Sequence, residues 1–478
     1  MNSPLRPHLR APRILGALIV PLVALASLGA SQAPPAPVAA PTGVNALALD
    51  IFRELVNINT TESGGGSTKA AEAMAARLTA GGFPADDVRI LGPNPRKQNL
   101  VARYRGTGAK RPLLLLAHLD VVEARREDWS LDPFTFVERD GYYYGRGTSD
   151  MKDMAASWVA NLIELKRQGY RPDRDIILAL TADEESGDSN GAAWLIRNHR
   201  DLVDAELCLN EGGGGQIQHG RYVANNVQAA EKVYQSFALE VRNKGGHSSL
   251  PSKDNAIYRL AAGLTRLSTF DFPIRLNEVT RTFFERMSRV EQGEVAADMR
   301  AVAGTPPDLA AAGRLAAQSP YYNALMRTTC VPTELQGGHA ENALPQLARA
   351  VVNCRMLPDD TTDNVQQALI RQVADKDVAV TPLAPARPGP ASPLSPALMS
   401  ALDRITSEMW PGVPVVPVMG TGATDGKWFR MAAVATYGLG AFEDVNDSRA
   451  HGRDERIGVR QFYEEREFLY RLIRALTE

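Results

Sequence analysis

Between residues 99 and 213 one pattern recurs: a short, nearly continuous apolar run, a polar break, then a longer stretch with apolar residues every three or four positions. NLVARYRG, PLLLLAHLD, IILALTADEE and AELCLNEGG have strand length, whereas MKDMAASWVANLIELKRQG has the period of an amphipathic helix. Alternation of this kind predicts an α/β fold with a largely parallel sheet. Runs as uniformly apolar as LLLLA and IILAL suit strands covered on both faces.

Near Lys232 the pattern changes to VYQSFALEVRNK, a helix over about 255–268, two adjacent strand-like runs, a helix near Val365, and VAVTPLA. That β-α-β-β-α-β order predicts a smaller α+β unit of ferredoxin-like type inserted in the larger one, with a helical insertion of open form over 277–322. APARPGPASP serves as the return linker; a helix over about 398–409, the strand VPVVPVM and a C-terminal amphipathic helix follow. The resulting division is 45–230 and 387–478 for the large unit and 231–386 for the inserted one.

The N-terminus adds an address. Arg6, Arg10 and Arg13 precede an apolar stretch from Ile14 to Leu28 and small residues to Ala30, the order of a secretory signal peptide over 1–30. Pro21 and the short apolar length argue against a membrane span, so no membrane anchor is expected after cleavage. A proline-rich tether, 31–44, follows. The expected location is outside the cytoplasm, secreted or periplasmic. With 44% hydrophobic and 23% charged residues and a net charge of −2, the 478-residue chain reads as globular. It has no basic block able to neutralise a row of phosphates, so nothing favours a nucleic-acid partner. Three cysteines are too few for a disulfide scaffold. Cys330 and Cys354 lie in neighbouring strand-like runs at equal spacing from a turn near Asn342, and either a cross-strand disulfide or two buried thiols fits.

Candidate chemistry gathers at the downstream ends of these elements. AHLD supplies His118 and Asp120, GRGTSD supplies Asp150, ADEES supplies Glu184 and Glu185, and NEGG supplies Glu211. Each has a plain alternative, Asp150 as a helix N-cap for example. In an open α/β sheet, however, side chains beyond the carboxyl ends of the strands converge on one crevice. Carboxylates clustered with histidine there suit a divalent cation.

AHLDVV, GRGTSDMK, ADEESG, NEGG, GGHSSLP, NALP and AHGRDE, in that order, resemble the M20 metallopeptidases, a family of glutamate carboxypeptidases, acetylornithine deacetylases, succinyl-diaminopimelate desuccinylases and aminoacylases. The resemblance implies a zinc-peptidase-like sheet with a ferredoxin-like lid or dimerisation domain, and two zinc ions per subunit, cobalt or manganese being alternatives. His118 and Glu211 would hold one ion, Glu185 and His451 the other, with Asp150 bridging. Asp120 would accept a hydrogen bond from the second nitrogen of His118. Glu184 would act as general base on a water activated by the metals. His247 would stabilise the tetrahedral oxyanion, reaching the partner's site in dimeric relatives, while Asn342 and Arg355 would meet the substrate's carboxylate or reacting centre. The glycine-rich GTGATDG, with Thr424 and Asp425, resembles the family's substrate loop. His199, His219 and His339 match no metal motif.

The implied activity is hydrolysis of a peptide or N-acyl amino acid amide by a homodimer. Two readings compete with a peptidase: a deacylase using the same centre, and a catalytically silent binding protein. Glu at position 211, where relatives also use Asp, leans toward the carboxypeptidase and acyl-amino-acid branch.

Overall fold

The computed structural model describes residues 40–185 and 188–478. The expected signal peptide, 1–30, and most of the expected tether, 31–44, therefore lie outside the described residues. Structure begins with the helix Gly43–Asn57. Among the described residues no helix is long and apolar enough to cross a membrane.

The large sheet has ten strands. Its centre is parallel: Ile176–Thr181, Leu113–His118, Leu207–Glu211 and Ala435–Leu439 lie side by side in that order. Every residue of Leu113–His118 and Ile176–Thr181 is buried. Alternate side chains serve opposite faces, with Leu113, Leu115 and Ala117 in one core and Leu114 and Leu116 in the other. That double coverage is why these runs lack a polar face. Antiparallel strands complete the edges, including the hairpin of Gly214–Gln218 and Arg221–Glu231. Val415–Gly420 runs parallel beside Arg221–Glu231.

The chain leaves this sheet at Lys232 and enters a second, four-stranded antiparallel sheet ordered Thr329–Gly337, Leu347–Met356, Val233–Arg242, Val378–Pro382. With helices Ala256–Leu267 and Thr362–Val373 contributing Leu260, Val365 and Leu369 to its separate core, this is the ferredoxin-like arrangement. Asn255 caps the first helix, its side chain accepting from the Ile257 amide at 2.9 Å. Cys330 lies opposite Cys354 and the two are disulfide-bonded.

The insertion is helical: Glu278–Met287, Gly293–Ala303, Leu309–Gln318 and Pro320–Met326. Although it interrupts the small unit in sequence, its buried Phe283, Phe284, Met299 and Leu325 join the core of the large sheet. Amphipathic periodicity shows that a helix has a partner, not which partner.

Candidate metal centre and its relatives

The strand ends bring the acids and histidines together. His118 closes its strand and is 2% exposed. Its Nε2 lies 3.0 Å from Asp150 Oδ1 and 3.6 Å from Glu211 Oε1. His451, in the loop before Arg456–Gly458, lies with Nε2 3.0 Å from Asp150 Oδ2 and 2.8 Å from Glu185 Oε1. One carboxylate thus spans two imidazoles, each with a further glutamate beside it. His118, Glu184 and Glu211 bring ligand atoms within 4.8 Å of one another, as do His118, Asp150 and Glu185. Glu184 and Glu185 therefore turn to different partners.

Two loops owe their shape to buried ion pairs and caps. Contrary to the expectation, Asp120 does not hold His118 through its carboxylate; the nearer oxygen is 3.8 Å from Nδ1, and the bond at 2.9 Å goes to the Asp120 backbone carbonyl. The carboxylate instead accepts the amide N–H groups of Glu184 at 3.1 Å and Glu185 at 2.9 Å. Those amides would otherwise be buried without partners, so the acid is committed to fixing that turn. Lys97 supports the same turn from beneath, its Nζ 2.5 Å from Asp183.

Glu455 was not singled out in the sequence, yet it shapes the Asp150 loop. Fully buried, it pairs with Arg146 at 2.6 Å and accepts from the backbone amides of Gly147, Ser149 and Asp150 at 3.0, 2.9 and 3.2 Å. It closes the AHGRDE run, the one signal in the sequence that could have found it; its role stayed hidden because most of its partners are backbone groups. Tyr321, delivered by the helical insertion, was likewise unforeseen, and it lines the cavity of about 400 Å³ over the cluster.

The electrostatics follow from burial and from the closeness of the acids and imidazoles. Burial opposes the charged form of Asp150, but hydrogen bonds from His118 and His451 outweigh it and hold the carboxyl far below the usual range. His451 is raised to about 10 by its bonds to Asp150 and Glu185. Burial, aided by neighbouring carboxylates, raises Glu211 to about 7 and moves Glu184 well above the ordinary range. Two imidazoles and four carboxylates in a shared crevice form a donor set suited to divalent cations of the zinc, manganese or cobalt type.

The remaining candidates lie apart from the cluster. His247 and Asn342 sit together at a tip of the small unit, where His247 pairs with Ala343 and the Ser248 amide donates to the Asn342 carbonyl at 3.0 Å. Both are exposed, and neither lines the 400 Å³ cavity. Arg355 ends its strand with its guanidinium 4.8 Å over the Tyr234 ring. It lines a neighbouring cavity of about 770 Å³ that includes Glu185. Thr424 of the glycine-rich loop faces the cluster cavity, while Asp425 turns away from it and is tied to Thr181 and Asn190 at 2.8 and 2.6 Å.

Comparison with known proteins decides the family. The model for peptidase family M20/M25/M40 matches residues 114–475. The chain belongs to this family. It is 32% identical over 356 residues to the N-fatty-acyl-amino acid synthase/hydrolase PM20D1 of Xenopus tropicalis, covering 72% of this chain and 69% of the relative. A probable succinyl-diaminopimelate desuccinylase of Staphylococcus aureus is 28% identical over 77% of this chain and 83% of its own. In fold it is similar to the M20 metallo-carboxypeptidase Sso-CP2 of Sulfolobus solfataricus, with a TM-score of 0.64 at 17% identity over 90% of this chain and 98% of the other. Human carnosine dipeptidase 1 superposes with a TM-score of 0.60 at 14% identity over 91% and 99%. As an M20 member the protein is a hydrolytic enzyme of the peptidase and amidohydrolase type, from a metal-dependent family acting on peptide or acyl amino acid substrates.

Proposed function

We propose that the protein is a secreted amidohydrolase that binds two divalent cations, zinc in the first instance, and cleaves a peptide or N-acyl amino acid amide bond. The observation that carries this is Asp150, whose two oxygens each lie 3.0 Å from a different imidazole. His118 and Glu211 would hold one cation, Glu185 and His451 the other, with Asp150 between them. When bound, the pair would supply polarisation of the scissile carbonyl and acidification of water.

The chain's own groups supply the rest. Glu184, buried and with its carboxyl raised well above the ordinary range, takes the proton of the attacking water and returns it to the leaving nitrogen. Asp120 keeps Glu184 and Glu185 in register through their amides. Arg355 presents a planar fork to the substrate's carboxylate from the adjoining cavity. His247 donates to the oxyanion of a neighbouring subunit's site, which explains its distance from the cluster of its own chain. A homodimer is supported by the edge strand Thr329–Gly337, which is paired on one side only and exposes Val331 and Leu335. Sedimentation should therefore give twice the chain mass. Secretion is supported by the basic, apolar, small-residue leader and by the Cys330–Cys354 bond, since such bonds persist in oxidising compartments.

Cation uptake should expel protons. In the cation-free protein His451 is raised to about 10, so it is protonated at neutral pH, whereas a ligand imidazole must be neutral. Through His451 affinity should thus climb as pH rises and level off near 10. Zinc titrated into chelator-stripped protein at pH 7 in weak buffer should acidify the solution; unchanged pH on binding would contradict the His451 assignment.

The function is tested by mass-spectrometric profiling of mixed dipeptides and N-acyl amino acids incubated with the zinc-loaded protein, with Glu184→Ala as control. Selective loss of particular amides with the wild type alone supports hydrolysis and separates peptidase from deacylase. Identical profiles would favour a silent binding protein.

A further inference from the structure

Beyond Asp150 and Glu211 a second cavity, of about 720 Å³, continues from the one over the cluster; the two share Asp150, Glu211, Asn226 and Tyr321. Its far wall is acidic, with Asp153, Glu443 and Glu465 facing it. Glu465 is 2% exposed and neither of its carboxylate oxygens has a hydrogen-bond partner; Asp153 is 4% exposed and its Oδ1 has none. Ser448 donates to Glu443 at 3.4 Å. No Lys or Arg among the described ion pairs reaches any of the three. Glu465 also occupies an unexpected position: it lies on the buried stripe of helix Val459–Thr477, between Phe462 and Leu469, where a leucine would pack at no electrostatic cost. Glu465 and one oxygen of Asp153 are thus buried without a polar partner, a desolvation that a positive donor group in the cavity would offset.

We infer that this cavity is a subsite for a cationic nitrogen group of the substrate, an amine or guanidine on the acyl side of the scissile amide, held by Glu465, Glu443 and Asp153.

Three observations give the inference its direction. The 770 Å³ cavity adjoins the cluster through Glu185 rather than through Asp150 and Glu211, and it is lined by Arg355, Arg387 and Lys427, none of them ion-paired among the described residues. An extended substrate with its carboxylate at Arg355 therefore sends its acyl portion toward the acidic wall; this step rests on the amide-hydrolysis reading above. The three acids do not close around a bare ion either: among the described residues, the groups of three or more ligand atoms lying within 4.8 Å are those built on His118. A multi-atom cation with several N–H donors spans such spread carboxylates. Burial, with repulsion from Glu443 second, raises Glu465 to about 8, and burial, with repulsion from Glu455 second, raises Glu443 to about 7. A hydrocarbon acyl chain entering the same space would bury these carboxylates further without compensating them.

The test uses the zinc-loaded full chain and matched amides: N-acetyl-lysyl-alanine, N-acetyl-arginyl-alanine and N-acetyl-norleucyl-alanine, with alanyl-alanine against N-acetyl-alanyl-alanine. A side-chain cation gives lysyl and arginyl substrates at least a ten-fold higher kcat/KM than norleucyl; an amino-terminal cation gives the same preference for alanyl-alanine over its acetylated form. In Glu465→Gln and in Glu443→Gln the preference should collapse toward one. Equal rates for charged and neutral substrates, or a preference surviving both substitutions, overturn the subsite. If no amide is cleaved, the hydrolase reading fails instead, and ligand-induced thermal stabilisation decides the subsite: greater stabilisation by the lysyl than the norleucyl peptide supports it, and equal stabilisation overturns it.

Discussion

Glu184→Gln should lower amide turnover by about 10²–10⁴-fold, the usual contribution of a positioned general base, while leaving the divalent-cation content unchanged. Glutamine preserves the side-chain volume and the backbone amide that Asp120 accepts, so the turn should persist. What is lost is a carboxylate able to take a proton, and the reason this residue suits the task is physical. Burial comes first and the nearby Glu211 second in raising its carboxyl, which makes it a stronger base than a solvated glutamate. Steady-state rates alongside metal analysis of the same preparation separate the two effects. A variant that loses its cations together with its activity would make Glu184 a ligand rather than a base. That alternative is specific, because Glu184 shares one of the close-ligand groups with His118 and Glu211.

Glu455→Ala should destabilise the protein by about 3–5 kcal/mol, the cost of removing one partner of a buried ion pair, and should abolish cation binding as well. Arg146, itself 3% exposed, would keep carbonyl contacts at His451 and Gly452 but lose its only carboxylate. Three amides of the GRGTSD loop would lose their acceptor, and that loop carries Asp150. The urea midpoint reads the first consequence and the zinc titration the second. A stable variant with normal zinc affinity would show that the loop holds its shape without this acid.

Much of the architecture was legible because parallel strands buried on both faces leave an unmistakable apolar run, as in Leu113–Leu116 and Ile176–Leu180. The candidate ligands were legible for a related reason: His118, Glu211 and the acids after Thr181 follow directly from those runs, and strand ends in such sheets share one crevice. Elsewhere local pattern carried less. The hairpin Gly214–Glu231 mixes polar and small residues and gave no clear period. The insertion's four helices were foreseeable as helices, but their docking on the large sheet depends on tertiary packing of Phe283 and Phe284. Asp120 was placed beside His118 correctly in sequence, yet its carboxylate serves two backbone amides, and a competition for one acid between a ring nitrogen and peptide N–H groups is invisible before the turn is built. Glu455 was hidden for the same reason. Glu465 was read merely as part of an amphipathic helix, because only its burial and the cavity beside it distinguish it from the half-buried acids Glu464 and Glu467 nearby.

The central claim is that Asp150 joins two cation sites, and elemental analysis of protein equilibrated with zinc and freed of excess metal tests it most directly. The account predicts two zinc ions per chain for the wild type and a marked loss from both sites in Asp150→Ala, since each imidazole shares that carboxylate. A wild-type content of one or none, or an Asp150→Ala variant that still holds two, would contradict it.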